Sequence, residues 1–175
     1  RGAAVGSPLQ TPIAPVPVGK AEVLEEGDDV VLLAIGAVVA EALKARALLS
    51  EHGVQATVVD ARFVKPLDAG LATELARRIP RIVTVEENVR QGGFGSAVLE
   101  ALSDAGLSSV AVERIGLPDG FVEHGSQALL RSRYGLDAAA IAAATRRFLR
   151  QNEPLYDAEP FLRTDRASAL RRSTL

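Results

Sequence analysis

Cysteine, methionine and tryptophan are absent from this chain of 175 residues, and histidine occurs only twice. The lack of cysteine excludes disulfides, thiolate metal sites and cysteine nucleophiles. The two histidines, His52 and His124, lie far apart in sequence and predict no metal cluster. No apolar run approaches the ~20 residues needed to cross a bilayer, and the first residues lack the pattern of a signal peptide. These absences disfavour redox chemistry, metal binding and membrane insertion.

Positive and negative charges are nearly balanced, with a formal net charge of −2. A balanced surface gives little attraction for nucleic acid or an anionic membrane, so neither is expected as a partner. The chain is 47% hydrophobic and 24% charged, which suits a globular protein with one well-buried core. We therefore expect one folded domain.

Both ends of the chain differ from its middle. The segment before residue 19 contains four prolines, Pro8, Pro12, Pro15 and Pro17. Prolines at this density favour a semi-rigid linker. We predict a proline-rich linker over residues 1–19, a folded domain over 20–150 and a poorly ordered tail over 151–175. Because the chain starts at Arg1 without Met, we also expect it to be cut from a longer polypeptide.

Strands and helices alternate along the middle of the chain. Apolar runs predict five strands, at about 21–25, 30–35, 54–61, 82–85 and 110–115. Helical spacing predicts helices after Gly36, after the caps Asp68 and Asp137, and from Ser96. Such continuously apolar strands indicate a parallel sheet covered on both faces.

The short turn between the first two strands predicts that they pair antiparallel. The expected fold class is therefore α/β, a three-layer αβα sandwich with a mixed, mainly parallel five-stranded sheet.

A glycine-rich turn, Gly92 to Ser96, follows the fourth strand and precedes a helix. Such a turn can direct backbone N–H groups toward a phosphate. The turn lacks the third glycine of the dinucleotide fingerprint, and no acidic residue follows at the required distance. The favoured interpretation is a tight turn that lets the helix pack closely on the sheet, and the anion site is the alternative.

Two adjacent carboxylates, Glu86 and Glu87, close the fourth strand. Neighbours in an extended chain point to opposite faces, so they cannot form a paired-carboxylate site. A solvated or helix-capping role is favoured. The alternative is a contact across a domain or subunit interface, since the carboxyl ends of parallel strands are where α/β proteins bind ligands. His124 has the same interface alternative.

A hydrolase triad of Ser96, His124 and Asp119 is disfavoured, because Ser96 is followed by Ala97-Val98 and not by the glycine of a nucleophile elbow. His52 falls near the end of the first helix, where an imidazolium would interact well with the helix dipole. Neither histidine needs a catalytic interpretation.

Three blocks in one order carry a family resemblance, namely Asp60 to Asp68, Glu86 to Ser96 and Gly116 to Gly125. Together they resemble the C-terminal, transketolase-like domain of 1-deoxy-D-xylulose-5-phosphate synthases over about residues 1 to 150. The resemblance implies that the linker leads from a missing middle domain. It also implies thiamine diphosphate and Mg²⁺ in the intact enzyme, held by domains absent from this chain.

The resemblance implies an intact enzyme that condenses pyruvate with glyceraldehyde 3-phosphate, with loss of CO2, to a precursor of isoprenoids, thiamine and pyridoxal. This domain would be structural and dimer-forming, without turnover of its own. Its partners would be the missing N-terminal and middle domains and a second copy of the enzyme. The implied location is the bacterial cytoplasm, with plastid as the lesser option.

One substrate contact is implied by the resemblance. Arg1 matches an arginine that helps to hold the phosphate of glyceraldehyde 3-phosphate, a role suited to a guanidinium because its planar fork engages two oxygens together. No catalytic, cofactor-binding or metal-binding residue is implied in this chain.

Two alternatives stay open. Transketolases and the β subunits of 2-oxo-acid dehydrogenases have similar C-terminal domains, and Arg90 and Phe94 depart from the usual synthase pattern. The third block, with Tyr134 to Asp137 behind it, resembles the synthases more closely. A non-catalytic interaction module of the same fold is the other alternative.

Overall fold

A computed structural model describes residues 15–152 of the chain. This part contains five strands and five α-helices. In chain order they are β1 (Glu22–Glu25), β2 (Val30–Ala34), α1 (Val39–Ser50), β3 (Ala56–Asp60), α2 (Ala69–Arg78), β4 (Arg81–Val89), α3 (Phe94–Asp104), β5 (Ala111–Leu117), α4 (Gln127–Arg133) and α5 (Ala138–Gln151). A 3-10 turn at Gly36–Val38 leads into α1. No helix among the described residues is long and apolar enough to cross a membrane.

The five strands form one mixed sheet in the order β1-β3-β2-β4-β5. Strands β2, β3, β4 and β5 run parallel, and β1 lies antiparallel at the edge beside β3. The predicted mixed sheet and the direction of β1 are confirmed. The predicted pairing of β1 with β2 is wrong, because β3 lies between them.

The turn between β1 and β2 explains this difference. The hydroxyl of Thr57 on β3 donates to the carbonyl of Gly27 and accepts from its N–H group. A side chain at Gly27 would meet the backbone of Gln55, so the turn lies directly against the start of β3. The chain therefore passes over the start of β3 before it enters β2, a tertiary contact that the local turn pattern does not reveal.

Two apolar clusters cover the two faces of the sheet, which confirms the three-layer αβα sandwich. On one face, alternate strand residues such as Leu32 and Val83 pack with α1 and α5. On the other face, residues such as Leu33 and Ile82 pack with α2 and α3. Every residue of β2 is buried, because this central strand is covered on both sides.

The helix ends follow the predicted caps. The carboxylates of Asp68 and Asp137 accept N–H bonds from Leu71 and Ala140, at the starts of α2 and α5. After α1, Gly53 adopts a left-handed φ of +77°, and the N–H of Val54 returns to the carbonyl of Leu49. Local capping chemistry is thus sufficient to position these helix ends.

The fourth strand is longer than predicted. Apolar pattern alone places it at 82–85, whereas β4 continues to Val89 and includes both glutamates. The extension follows from pairing with β5, since Val89 lies opposite Leu117 beyond a local irregularity. Helix α3 begins at Phe94, two residues before the predicted start.

Asp68 links the start of α2 to β1, and its charge contributes to this link. One carboxylate oxygen accepts from Leu71 N–H and the other from Ala21 N–H, and Lys20 lies 3.6 Å away. Burial alone would raise the pKa of Asp68, but the two N–H bonds and Lys20 lower it below its ordinary value of 3.8. A lowered folded-state pKa stabilises the fold above the unfolded-state pKa, and this stability disappears as pH falls through the folded-state value.

We therefore expect Asp68→Asn to lower the free energy of unfolding by about 1 kcal/mol near neutral pH, because the amide has one acceptor oxygen for two N–H groups and no charge for Lys20. The loss should shrink in acid, where Asp68 of the native protein is itself protonated. Urea unfolding of the native protein and of Asp68→Asn, each near neutral pH and in acid, measures this loss of free energy. Asp28→Asn, at an exposed turn position, should change the free energy by less than about 0.5 kcal/mol near neutral pH. Equal losses for Asp68→Asn at both pH values would contradict the electrostatic interpretation.

Candidate functional site at the carboxyl edge

The parallel strands β2 to β5 end along one edge of the sheet, which we call the carboxyl edge. The end of β4 with Glu86 and Glu87, the turn at residues 90–93, and the loop at residues 118–126 all lie here. Binding sites of open α/β sheets occur at such an edge. Functional side chains are therefore expected along this edge of the sheet.

Glu86 is fully buried beneath the start of α3. Its two carboxylate oxygens accept hydrogen bonds from the backbone N–H groups of Phe94, at 2.7 Å, and Gly95, at 2.8 Å. The N-terminal N–H groups of a helix have no partner within the helix and attract an anion. Glu86 is that anion, so the predicted capping role is confirmed and the alternative phosphate site is already filled by the protein.

The glycines of the turn allow this close approach. A methyl group at Gly93 would overlap the Glu86 carboxylate and the carbonyl of Val89. At Gly95 a methyl group would lie 2.5 Å from the Thr84 hydroxyl oxygen. The favoured interpretation of the turn, a tight connection that packs α3 on the sheet, is therefore confirmed by contacts with β4.

Glu87 points to the opposite face of the sheet and accepts a 2.7 Å hydrogen bond from Nε of Arg131 on α4. This hydrogen bond raises the pKa of Arg131. The two glutamates therefore serve different helices and form no carboxylate pair, as the strand geometry predicts. Sequence reasoning missed Arg131, because a contact across 44 positions leaves no local signal.

The loop at residues 118–126 is held to α4 by polar contacts. The Tyr134 hydroxyl donates to Glu123 at 2.7 Å, and Arg133 forms an ion pair with the same carboxylate. The hydrogen bond from Tyr134 lowers the pKa of Glu123, and the same bond raises the pKa of Tyr134. These contacts fix one side of the loop.

Large apolar side chains project from the same region. Phe121 is fully exposed, and Leu129 on α4 is also exposed. Beside them, Leu117, Val122, Leu130 and Leu136 contribute to a cavity of about 200 Å³. We call Phe121, Val122, Leu129 and Leu130 the apolar edge surface. An apolar surface beside engaged carboxylates suits packing against protein better than acid–base catalysis.

The remaining candidate residues do not come together as a site. The Ser96 hydroxyl donates to the Arg90 carbonyl and accepts from Gly92 N–H and Arg114. Among the residues that the structure describes, no hydrogen bond joins Ser96 to His124. His52 lies near Leu48, with 3.0 Å between its Nδ1 and the Leu48 carbonyl oxygen. Arg1 lies outside the described residues.

Comparison with known proteins gives the family. The family model described as "Transketolase, C-terminal domain" matches residues 19–141. The chain belongs to the transketolase C-terminal domain family. This match covers the whole sheet and most of the flanking helices, including the capped turn at Glu86.

Two curated relatives with high identity to the chain are synthases of the same name. The chain is 54% identical over 149 residues to 1-deoxy-D-xylulose-5-phosphate synthase 1 of Geobacter sulfurreducens, which covers 85% of this chain and 23% of that protein. It is also 54% identical to the synthase of Gloeobacter violaceus over 156 residues, 89% of this chain and 24% of that protein. The chain thus spans about a quarter of the length of the curated relatives that it matches.

Solved structures of the family have the same architecture. A split-gene transketolase, described as an inactive β4 tetramer, matches with a TM-score of 0.73 and 37% identity over 85% of this chain and 47% of that chain. A transketolase from Pichia stipitis matches with a TM-score of 0.55 and 16% identity over 76% of this chain and 18% of that chain. The second likeness supports the fold alone.

Glu86 and Glu87 provide a matched test of the capping interaction. We expect Glu86→Gln to lower the free energy of unfolding by roughly 1.5–3 kcal/mol, because it removes a buried charge that accepts two N–H bonds. Glu87→Gln weakens only a half-exposed ion pair and should cost less than about 1 kcal/mol. Chemical denaturation of the two variants measures both values. Equal costs would show that Glu86 is not the essential cap.

Proposed function

We propose that this chain is the C-terminal domain of a 1-deoxy-D-xylulose-5-phosphate synthase. The observation that carries the proposal is the 54% identity to several proteins of that name. Identity to the split-gene transketolase is lower, at 37%. The weaker alternative is a domain of a 2-oxo-acid dehydrogenase β subunit, because the relatives with 54% identity are named as synthases.

In this proposal the intact enzyme condenses pyruvate with glyceraldehyde 3-phosphate and releases CO2. Thiamine diphosphate supplies the carbanion chemistry, and Mg²⁺ accompanies its diphosphate. Residues 15–152 do not fit either group. The one helix N-terminus at the glycine turn is filled by Glu86, and no group of three or more metal-ligating side chains occurs in this part of the chain. We therefore assign thiamine diphosphate and Mg²⁺ to the rest of the polypeptide. The location that we propose for the intact enzyme is the bacterial cytoplasm.

The role of the domain itself is structural. We assign the apolar edge surface to contact with the preceding part of the same polypeptide. Two observations support this assignment. Phe121 and Leu129 are exposed, and about three quarters of the length of the curated relatives lies outside the region that matches this chain. A homodimer partner is the second contact that the resemblance implies.

Replacement of Phe121 by Ser tests this assignment. In the 175-residue chain the free energy of unfolding should change by less than about 0.5 kcal/mol, because the side chain is already fully exposed. In the intact enzyme the same variant should lower the thermal midpoint and the activity. Leu99→Ser, at a partly exposed position on α3, is the control and should lower the stability of the 175-residue chain and of the intact enzyme alike. An intact enzyme unaffected by Phe121→Ser would contradict the assignment.

Arg1 provides the test of the substrate assignment. In the intact enzyme, Arg1→Ala should raise the KM for glyceraldehyde 3-phosphate by roughly tenfold or more, because a charged hydrogen-bond pair with the phosphate is lost. The KM for pyruvate should stay within about twofold, since pyruvate has no phosphate. Steady-state kinetics with each substrate varied in turn measures the two constants.

The chain of 175 residues, assayed by itself, is the control for these kinetics and should form no product. Product from pyruvate and glyceraldehyde 3-phosphate with this chain alone would disprove the structural role. An unchanged KM for the aldehyde in Arg1→Ala would disprove only the role of Arg1.

A separate, non-catalytic subunit is the second candidate function. The description of the split-gene transketolase as an inactive tetramer favours it, because that protein carries this fold on a chain without activity. Intact mass measurement on the native protein distinguishes the two candidates. A mass well above 18.4 kDa supports the synthase domain, and a mass near that value supports the subunit.

A further inference from the structure

A second cavity lies at the opposite edge of the sheet, where the parallel strands begin. Asp29 precedes β2, Gly53 and Val54 precede β3, and Arg81 opens β4. Arg146, Leu149 and Arg150 of α5 complete the walls, and the two arginines lie one turn apart. The cavity has a volume of about 240 Å³. We call it the amino-edge cavity.

Positive charge dominates this cavity. Three guanidinium groups face it, against the single carboxylate of Asp29. That carboxylate already accepts a 2.7 Å hydrogen bond from the N–H of Gln55. The ion pairs found among residues 15–152 do not include Arg81, Arg146 or Arg150. The cavity thus has a net positive charge that its one carboxylate does not balance.

Arg81 can contribute to this cavity through the outer end of its guanidinium group. Its Nε atom is buried and has no hydrogen-bond partner among the described residues, so a ligand in the cavity does not reach that atom. The two terminal nitrogens keep accessible surface and donate no hydrogen bond within the described residues. An oxyanion bound between Arg81 and the two α5 arginines would accept from these terminal nitrogens.

We propose that the amino-edge cavity binds a small phosphate-bearing anion. Guanidinium groups suit phosphate because their planar forks engage two of its oxygens together. The cavity is smaller than the ~300–1,000 Å³ typical of sites for larger ligands, which favours a phosphate on a short carbon skeleton or a free inorganic anion. The site is independent of the proposed function, since it lies at the other edge from Glu86 and the apolar edge surface.

Titration of the 175-residue chain with inorganic phosphate, inorganic diphosphate and glycerol 2-phosphate tests the proposal. Calorimetry should give saturable binding with one site per chain. In 15N NMR spectra the amide signals of Gly53 and Val54 should shift, because these residues line the cavity. Tighter binding of glycerol 2-phosphate than of phosphate would assign the site to organic monoesters, and equal binding would assign it to the inorganic anion.

Matched arginine variants distinguish a site from general attraction. The double variant Arg146→Gln with Arg150→Gln should weaken binding by roughly tenfold or more, because two charged donors are lost. Arg147→Gln removes one positive charge from the same helix, half of what the double variant removes, but Arg147 does not line the cavity, so binding should change by less than about twofold. The side chains of Arg146, Arg147 and Arg150 are partly or fully accessible to solvent, so the variants should keep the fold.

Two results would overturn the proposal. One is the absence of saturable binding for all three anions. The other is a loss of binding free energy in Arg147→Gln that reaches half of the loss in the double variant, since nonspecific attraction to the helix scales with the charge removed. Because the readout is binding to the chain and not turnover, either result leaves the synthase proposal untouched.

Discussion

The carboxylate of Glu86 joins the strand β4 to the helix α3, and the rest of the carboxyl edge depends on this contact. A buried carboxylate is costly unless it is fully hydrogen-bonded, and a buried helix N-terminus has N–H groups that need acceptors. The Glu86 carboxylate accepts from the N–H groups of Phe94 and Gly95, at 2.7 and 2.8 Å, so both requirements are met by one contact. Gly93 is required because a side chain there would overlap the Glu86 carboxylate, and Gly95 is required because a side chain there would meet Thr84 on β4.

This contact also explains what the carboxyl edge does. In many α/β proteins a helix N-terminus at this edge binds the phosphate of a ligand. Here the protein's own carboxylate occupies that position, and Glu87 is held by Arg131 on the other face. The apolar edge surface around Phe121 is exposed and available for contact with another part of the protein. This surface supports the proposed role of the domain, which is to pack against the rest of a larger protein.

The two edges of the sheet differ in chemistry as well as in position. At the carboxyl edge the carboxylates of Glu86, Glu87 and Glu123 are engaged by donors of the protein, and large apolar side chains are exposed. The amino edge has three arginines around one cavity and a buried Arg81 donor without an acceptor among the described residues. Since the amino edge lies away from the surface assigned to interdomain contact, a ligand could bind there while the domain stays attached to its enzyme.

Local patterns in the sequence determined much of this protein. Apolar runs covered on both faces indicated the three-layer α/β fold, and the caps Asp68, Asp137 and Gly53 were readable because capping depends on neighbouring residues. The opposite directions of Glu86 and Glu87 followed from strand geometry alone. The three sequence blocks indicated the family, which the match over residues 19–141 confirms.

Tertiary structure decided the contacts between residues far apart in sequence. The place of β1 beside β3 depends on the contact of Gly27 with Thr57, and the partner of Glu87 depends on the docking of α4. The grouping of Arg81 with Arg146 and Arg150 likewise requires the strand and the last helix to meet. Such pairings depend on the packing of whole elements, so no local pattern of residues encodes them.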